Sequence, residues 1–189
     1  MAGTLTVGGN TIVTHTGVEG AGTVSANNVS LGSNVQFPAG HVISHSIPFV
    51  KSGSTSIETS NTSFAESGIE VSITPKLSSA NSRIVVQFFT GYPRTSGGAG
   101  TLIQYTCGRA TSTSTTYSSA NDISQSNYFY PNSTGIYWSQ HATFIDSGNY
   151  TAGTQYFYQI YFLSSGGVNV QLVRDGGTAT MLAYEVKII

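Results

Sequence analysis

The side chains of this 189-residue chain suited to acid–base or nucleophilic chemistry are eight carboxylates, four histidines and one thiol. The carboxylates are Glu19, Glu58, Glu66, Glu70, Asp122, Asp146, Asp175 and Glu185, and no two form a spacing motif with a mechanism. A glycosidase would need two of them held roughly 5 to 10 Å apart across a sugar bond, drawn from distant strands. With 27 Ser and four His in the chain, a Ser/His/Asp triad can be composed on paper in many ways, so the possibility has no weight. Neither a G-x-S-x-G elbow nor a phosphate-binding glycine loop occurs. Cys107 ends the run Leu102-Ile103-Gln104-Tyr105-Thr106-Cys107, which reads as a strand, and a lone Cys there reads as a buried spare thiol. His41 and His45 share a strand face but lie about 13 Å apart, too far for one ion. A three-nitrogen site would require copies of His41 around a three-fold axis. The sequence therefore assigns no catalytic residue, no metal and no cofactor, and reads as non-enzymatic.

Recognition chemistry is better represented. Residues 109–135 break the strand pattern with a Ser/Thr-rich stretch through Tyr117, followed by Asn127-Tyr128-Phe129-Tyr130-Pro131-Asn132 and then Tyr137-Trp138. Aromatic rings stack on the apolar side of a pyranose, and short polar groups bind its hydroxyls. A second turn, Tyr92-Pro93-Arg94 through Gly100, adds an arginine. The expected ligand-binding set is Tyr117, Tyr128, Phe129, Tyr130, Trp138 and Arg94, on loops carried by a rigid scaffold. The competing reading is that these aromatics pack in a core or an interface, as most do.

The elements that must position them are strands. Alternation marks segments near 41–50, 69–74, 83–92, 101–108, 136–146, 154–164, 168–174 and 179–188. Ile69, Val71 and Ile73 share one face, as do Ile84, Val86 and Phe88. In the last segment Leu182, Tyr184, Val186 and Ile188 point one way, and Glu185 and Lys187 the other. Helix formers are sparse and no helical period appears. Eight strands in about 150 residues fit an all-β, two-sheet antiparallel jelly-roll sandwich. Residues 1–40 differ: they are short Gly- and Asn-punctuated pieces, expected to form an extended lead-in or anchoring segment before a head domain of residues 41–189.

One segment, residues 156–163, is apolar on both faces. A sandwich buries one face of a strand, so the second face predicts a second partner, the competing reading being a strand in the middle of a thicker monomer. The simplest is a homotrimer with Tyr156, Phe157, Tyr158, Tyr161 and Tyr184 at its interface.

Charge narrows the partners further. Only 8% of residues are charged and the net charge is −1, while Ser and Thr supply 51 of 189 residues. Phosphate binding needs clustered Lys and Arg, and the seven here are scattered, which argues against nucleic acid. No apolar run approaches the roughly 18 to 20 residues of a membrane-spanning helix, so membrane insertion is not expected. Met1 to Val7 lack the charged start and apolar core of a signal peptide.

Several segments together resemble a known group. Phe37-Pro38-Ala39-Gly40-His41-Val42-Ile43 resembles the junction in tailed-phage fibre and appendage proteins, common in marine phages, where a Gly-rich lead-in similar to Leu5-Thr6-Val7-Gly8-Gly9-Asn10 precedes a β head. Ile69-Glu70-Val71-Ser72-Ile73-Thr74-Pro75-Lys76, Asn81-Ser82-Arg83-Ile84-Val85-Val86 and the closing Thr178-Ala179-Thr180-Met181-Leu182-Ala183-Tyr184-Glu185 are similar to segments of those heads. The resemblance spans essentially the whole chain. It implies a trimeric head similar to the C1q and tumour-necrosis-factor jelly rolls, made in the host cytoplasm and located in the virion. It also implies attachment to another virion protein through residues 1–40 and to a host cell-surface glycan or protein. The alternatives are a capsid decoration protein that binds no host and, more remotely, a polysaccharide-degrading fibre enzyme.

Overall fold

The computed structural model describes residues 3–7, 10–15, 39–51, 55–91, 93–95, 101–113, 116–123, 127–129, 139–174 and 176–188. The chain divides into two units, Met1–Gln36 and Phe37–Ile189. In the first, β1 (Gly3–Val7) and β2 (Asn10–His15) pair as an antiparallel hairpin, with a register shift between Leu5 and Thr6.

The second unit contains β3 (Val42–His45), β4 (Phe49–Lys51), β5 (Ile57–Thr59), β6 (Ala65–Ile73), β7 (Ser82–Thr90), β8 (Arg94–Thr95), β9 (Ile103–Ala110), β10 (Asn127–Phe129), β11 (Gln140–Asp146), β12 (Tyr156–Ser164), β13 (Val170–Val173) and β14 (Ala179–Lys187). Each of the eight predicted segments carries strand, and the described residues contain no helix. The 41–50 segment is split into β3 and β4 by Ser46-Ile47-Pro48, where Pro48 has no N–H to give a ladder. Buried Ser46 keeps the join closed: its N–H donates to the Ala183 carbonyl at 2.8 Å, and its Oγ accepts the Ala183 N–H at 2.9 Å.

Two principal sheets, ordered β10-β9-β12-β6 and β11-β7-β14-β3, pair antiparallel throughout, with β4 also on β14. A three-stranded sheet, β5-β13-β8, completes the unit. The core is one cluster in which Ile69, Val71 and Ile73 of β6 and Tyr158, Ile160 and Phe162 of β12 are buried with Ile84, Val86 and Phe88 of β7. Burial alternates along β6 and β7, as their sequence period predicts.

The last strand faces opposite to what hydropathy suggests. Ala179, Met181, Ala183 and Glu185 point into the core, and Leu182, Tyr184 and Val186 are half-buried on the outer side. Fully buried Glu185 is tolerated because its carboxylate is saturated. It accepts the backbone N–H of Lys76 at 2.7 Å and of Leu77 at 2.8 Å, and the hydroxyls of Ser44 and Ser82, both at 2.9 Å. A buried carboxylate with this many donors is compensated for its lost hydration.

Candidate functional site

At one end of the sandwich, the last residues of β9 and β11 and the first of β12 surround an open cleft of about 510 Å³. It is lined by Arg109 to Thr111, Ala120 to Ile123, Asp146 to Gly148 and Tyr156. Arg109 belongs to one principal sheet and Asp146 to the other, and their ion pair (Nη1 to Oδ2, 2.7 Å) ties the two layers together. Asp146 is almost fully buried, and its second contact at Oδ2 is the Tyr158 hydroxyl, which donates at 2.7 Å. The Gly148 N–H donates to Asp146 Oδ1 at 2.8 Å. The guanidinium is held on further sides by the Asn149 carbonyl at 3.2 Å and by the Tyr156 ring, whose centroid lies 5.4 Å away. Burial, and then the Asp146 charge, push the Tyr158 phenol far above its ordinary range, so it stays a neutral donor.

The other wall is the segment 116–123. Its backbone runs beside β9: Arg109 donates to the Asn121 carbonyl at 2.8 Å, and Ile123 to the Cys107 carbonyl at 3.1 Å. Asp122 fastens it, accepting the Thr106 hydroxyl at 2.7 Å and the Tyr117 hydroxyl at 3.1 Å. Tyr117 then lies over the outer face of β12, its ring 5.3 Å from that of Tyr161 and 4.6 Å from that of Phe64. Gly108 leaves room for the Tyr161 ring beside β9, since a Cβ there would stand 2.7 Å from that ring.

These contacts correct the reasoning that led to an interface on β12. Tyr158 and Tyr161 are fully buried and Tyr156 nearly so within a single chain; only Phe157 and Tyr184 are half-buried. On the outer face of β12 the chain's own Tyr117 covers Tyr161, while Phe157 stays half-buried.

The expected ligand set is dispersed. Tyr117 is turned onto Tyr161, and its phenol is engaged by Asp122. Tyr128, in β10 opposite Gln104, is 58% exposed. Phe129 is placed in β10 by its backbone alone, and Tyr130 and Trp138 lie outside the described residues. Arg94 is half-buried in β8, paired with Gln171 of β13. The residues that do converge are Arg109, Asn121, Asp122, Asp146 and Tyr156; the first three belong to the 109–135 recognition segment and Tyr156 to the expected interface, but none was in the expected ligand-binding set. The signal lay in the strand phase. Arg109 follows Ile103, Tyr105 and Cys107 at period two, and Asp146 follows Ala142 and Phe144, so both charges fall on core-facing positions.

Cys107 is fully buried, and burial, with the charges of Asp122 and Asp146, pushes its thiol well above the ordinary range. It is an inert core residue rather than a nucleophile.

A different surface is left open. On the outer side of β11-β7-β14-β3 the cross-strand rows read Ile145–Val85–Tyr184–His45, Thr143–Gln87–Leu182, His141–Phe89–Thr180–Val50 and Arg83–Val186–Val42. Ile145, Val50 and Val42 are 55%, 63% and 52% exposed, and Ile47, between β3 and β4, is 88% exposed. Arg83 alone in these rows carries a fixed charge, and its Nη1 donates to the Ser79 and Ser82 carbonyls.

No protein-family model matches the chain, and no curated protein does. Among solved structures it is similar to an arabinose-bound MgGH51 α-L-arabinofuranosidase (TM-score 0.30, 11% identity, 79% of this chain), of which it spans only 23%. It is also similar to the CBM22-1 xylan-binding domain of Paenibacillus barcinonensis Xyn10C (TM-score 0.19, 11% identity, 81% of this chain and 98% of that one). A third is the infectious bursal virus protein of T=1 particles (TM-score 0.18, 11% identity, 85% and 44%). At these TM-scores the likenesses carry no argument, and the architecture rests on the strand pairing itself. No helix among the described residues is long and apolar enough to cross a membrane.

Proposed function

We propose that this chain is a non-catalytic structural protein of a tailed-phage virion, a fibre or appendage whose homotrimeric jelly-roll head attaches to the host surface. The sequence resemblance supplies the virion setting. The strand orders support the jelly roll: β3, β6, β7, β9, β10, β11, β12 and β14 serve as its eight strands, and the chain crosses between the two sheets at nearly every step.

The observation that carries self-assembly is the open face of β14 and its neighbours. Four of the five large apolar residues exposed among the described residues lie on that sheet or in its β3–β4 join. A face with almost no fixed charge can be buried against another copy without desolvating unpaired charges. Four strands about 4.8 Å apart over about seven residues give roughly 450 Å² in projection, and side-chain relief and the exposed Ile47 join raise this toward the ~800 Å² per partner of a standard interface.

Light scattering on the purified chain should give about three times the 19.8 kDa protomer. A monomer at micromolar concentration overturns the trimer. Labelled head should then stain host cells. A head that binds no cell but saturates empty capsids would instead make this a decoration protein.

A further inference from the structure

We propose that the inter-sheet cleft beside Arg109 is a binding site for an uncharged saccharide of one or two pyranose rings. The proposal deepens the attachment reading by giving it a ligand class, and rests on that reading for the ligand's source on a host. Three observations carry it.

The first is space. A cleft of about 510 Å³ stands open at the end of the sandwich, a volume within the range of small-molecule sites. The second is preorganisation. Arg109 is fixed by Asp146, the Asn149 carbonyl and the Tyr156 ring, and Gly148 backs it so closely that a Cβ there would lie 3.3 Å from both Nη atoms. Its side chain is about one-fifth exposed at the cleft wall. A donor already held in place loses little rotamer freedom when a ligand arrives.

The third is charge and polarity. The guanidinium is matched by Asp146, and Asp122 adds a further carboxylate to the lining, so the cleft as a whole is not cationic. Phosphate, sulfate and uronate groups are therefore disfavoured. Thr111, Asn121 and Ser147 offer hydroxyl and amide partners, while Ala110, Ala120 and Ile123 place small apolar patches between them. This alternation matches a sugar ring, with hydroxyls at its edge and C–H groups on its face. It suits neither a wholly apolar ligand nor an anion.

The test titrates the full chain with neutral di- and trisaccharides of glucose, galactose, mannose and N-acetylglucosamine, and with their uronate and sulfated counterparts, by calorimetry and NMR. At least one neutral saccharide should bind with a dissociation constant of about 1 mM or tighter. Thr111→Trp and Ala120→Trp, both at exposed cleft positions, should each weaken it about tenfold or more. If either variant melts early, shift changes in the unsubstituted protein decide: changes at Arg109, Asn121 and Tyr156 support the site, and changes only elsewhere overturn it. The proposal also fails if no neutral saccharide binds, if the acidic counterparts bind more tightly, or if both Trp variants bind unchanged. Staining of host cells that persists without saccharide binding overturns the cleft alone. Saccharide binding in the cleft without cell staining overturns the attachment reading alone.

Discussion

The two principal sheets carry similar strands but treat their outer faces differently. On β12 the outer Tyr161 is buried against a ring the chain supplies itself, Tyr117 with Phe64 beside it. On β14 the outer Leu182, Tyr184 and Val186 are half-buried, and the neighbouring Ile145 and Val50 are open. A strand apolar on both faces thus shows only that something covers it. Whether that cover is a loop or another molecule depends on chain that folds back from elsewhere, here pinned by Asp122 across sixteen residues to Thr106.

Tyr158→Asp should break this comparison most severely. Were β12 an interface, the substitution would spoil assembly and leave the protomer folded. In the buried site it places a carboxylate against Asp146, which already accepts Tyr158. The expected loss is on the order of 4 kcal/mol of protomer stability, read as a lowered urea midpoint. A folded, monomeric Tyr158→Asp protein would put the interface back on β12.

Gly108→Val comes next, because it tests the cover directly. The added Cβ would sit 2.7 Å from Tyr161 Cε2, and Tyr161 is itself fully buried. Displacing that ring lifts Tyr117 with it, for a destabilisation of about 2 kcal/mol, with new protease sensitivity within 116–123. Thr106→Val is milder. It removes one donor to Asp122 and leaves the Tyr117 hydroxyl bound to that carboxylate, a loss of about 1 kcal/mol. Amide exchange at Asn121 and Ile123 should quicken before that of the core strands if the segment opens as a unit.

Much of the frame was legible in the sequence. The alternation of Ile69, Val71 and Ile73, and of Ile84, Val86 and Phe88, places β6 and β7 with the correct face inward. The site was not legible, for two physical reasons. Asp146, Arg109 and Glu185 occupy core-phase positions, where period alone argues against charge. What permits them is partners from remote chain: Tyr158 and Arg109 for Asp146, and the Lys76 and Leu77 amides for Glu185. Nor does strand pattern reveal a loop that crosses a face. Tyr117 reads as an exposed ligand platform until its ring is found on Tyr161.

Ile145→Lys has the smallest expected effect on the protomer and separates the two faces most sharply. Ile145 is 55% exposed at the end of β11, opposite Val85. A lysine there can extend its ammonium into water while its stem lies along the sheet. The change in protomer stability should stay within about 0.5 kcal/mol. At a symmetric interface the same substitution installs a charge from every copy in an apolar contact, where each must be desolvated beside its like. Light scattering should then fall from trimer to monomer at micromolar concentration while the urea transition of the isolated protomer hardly moves. If Ile145→Lys remains trimeric, copies meet through some other surface, and the apolar rows across β11, β7 and β14 face water in the assembled protein.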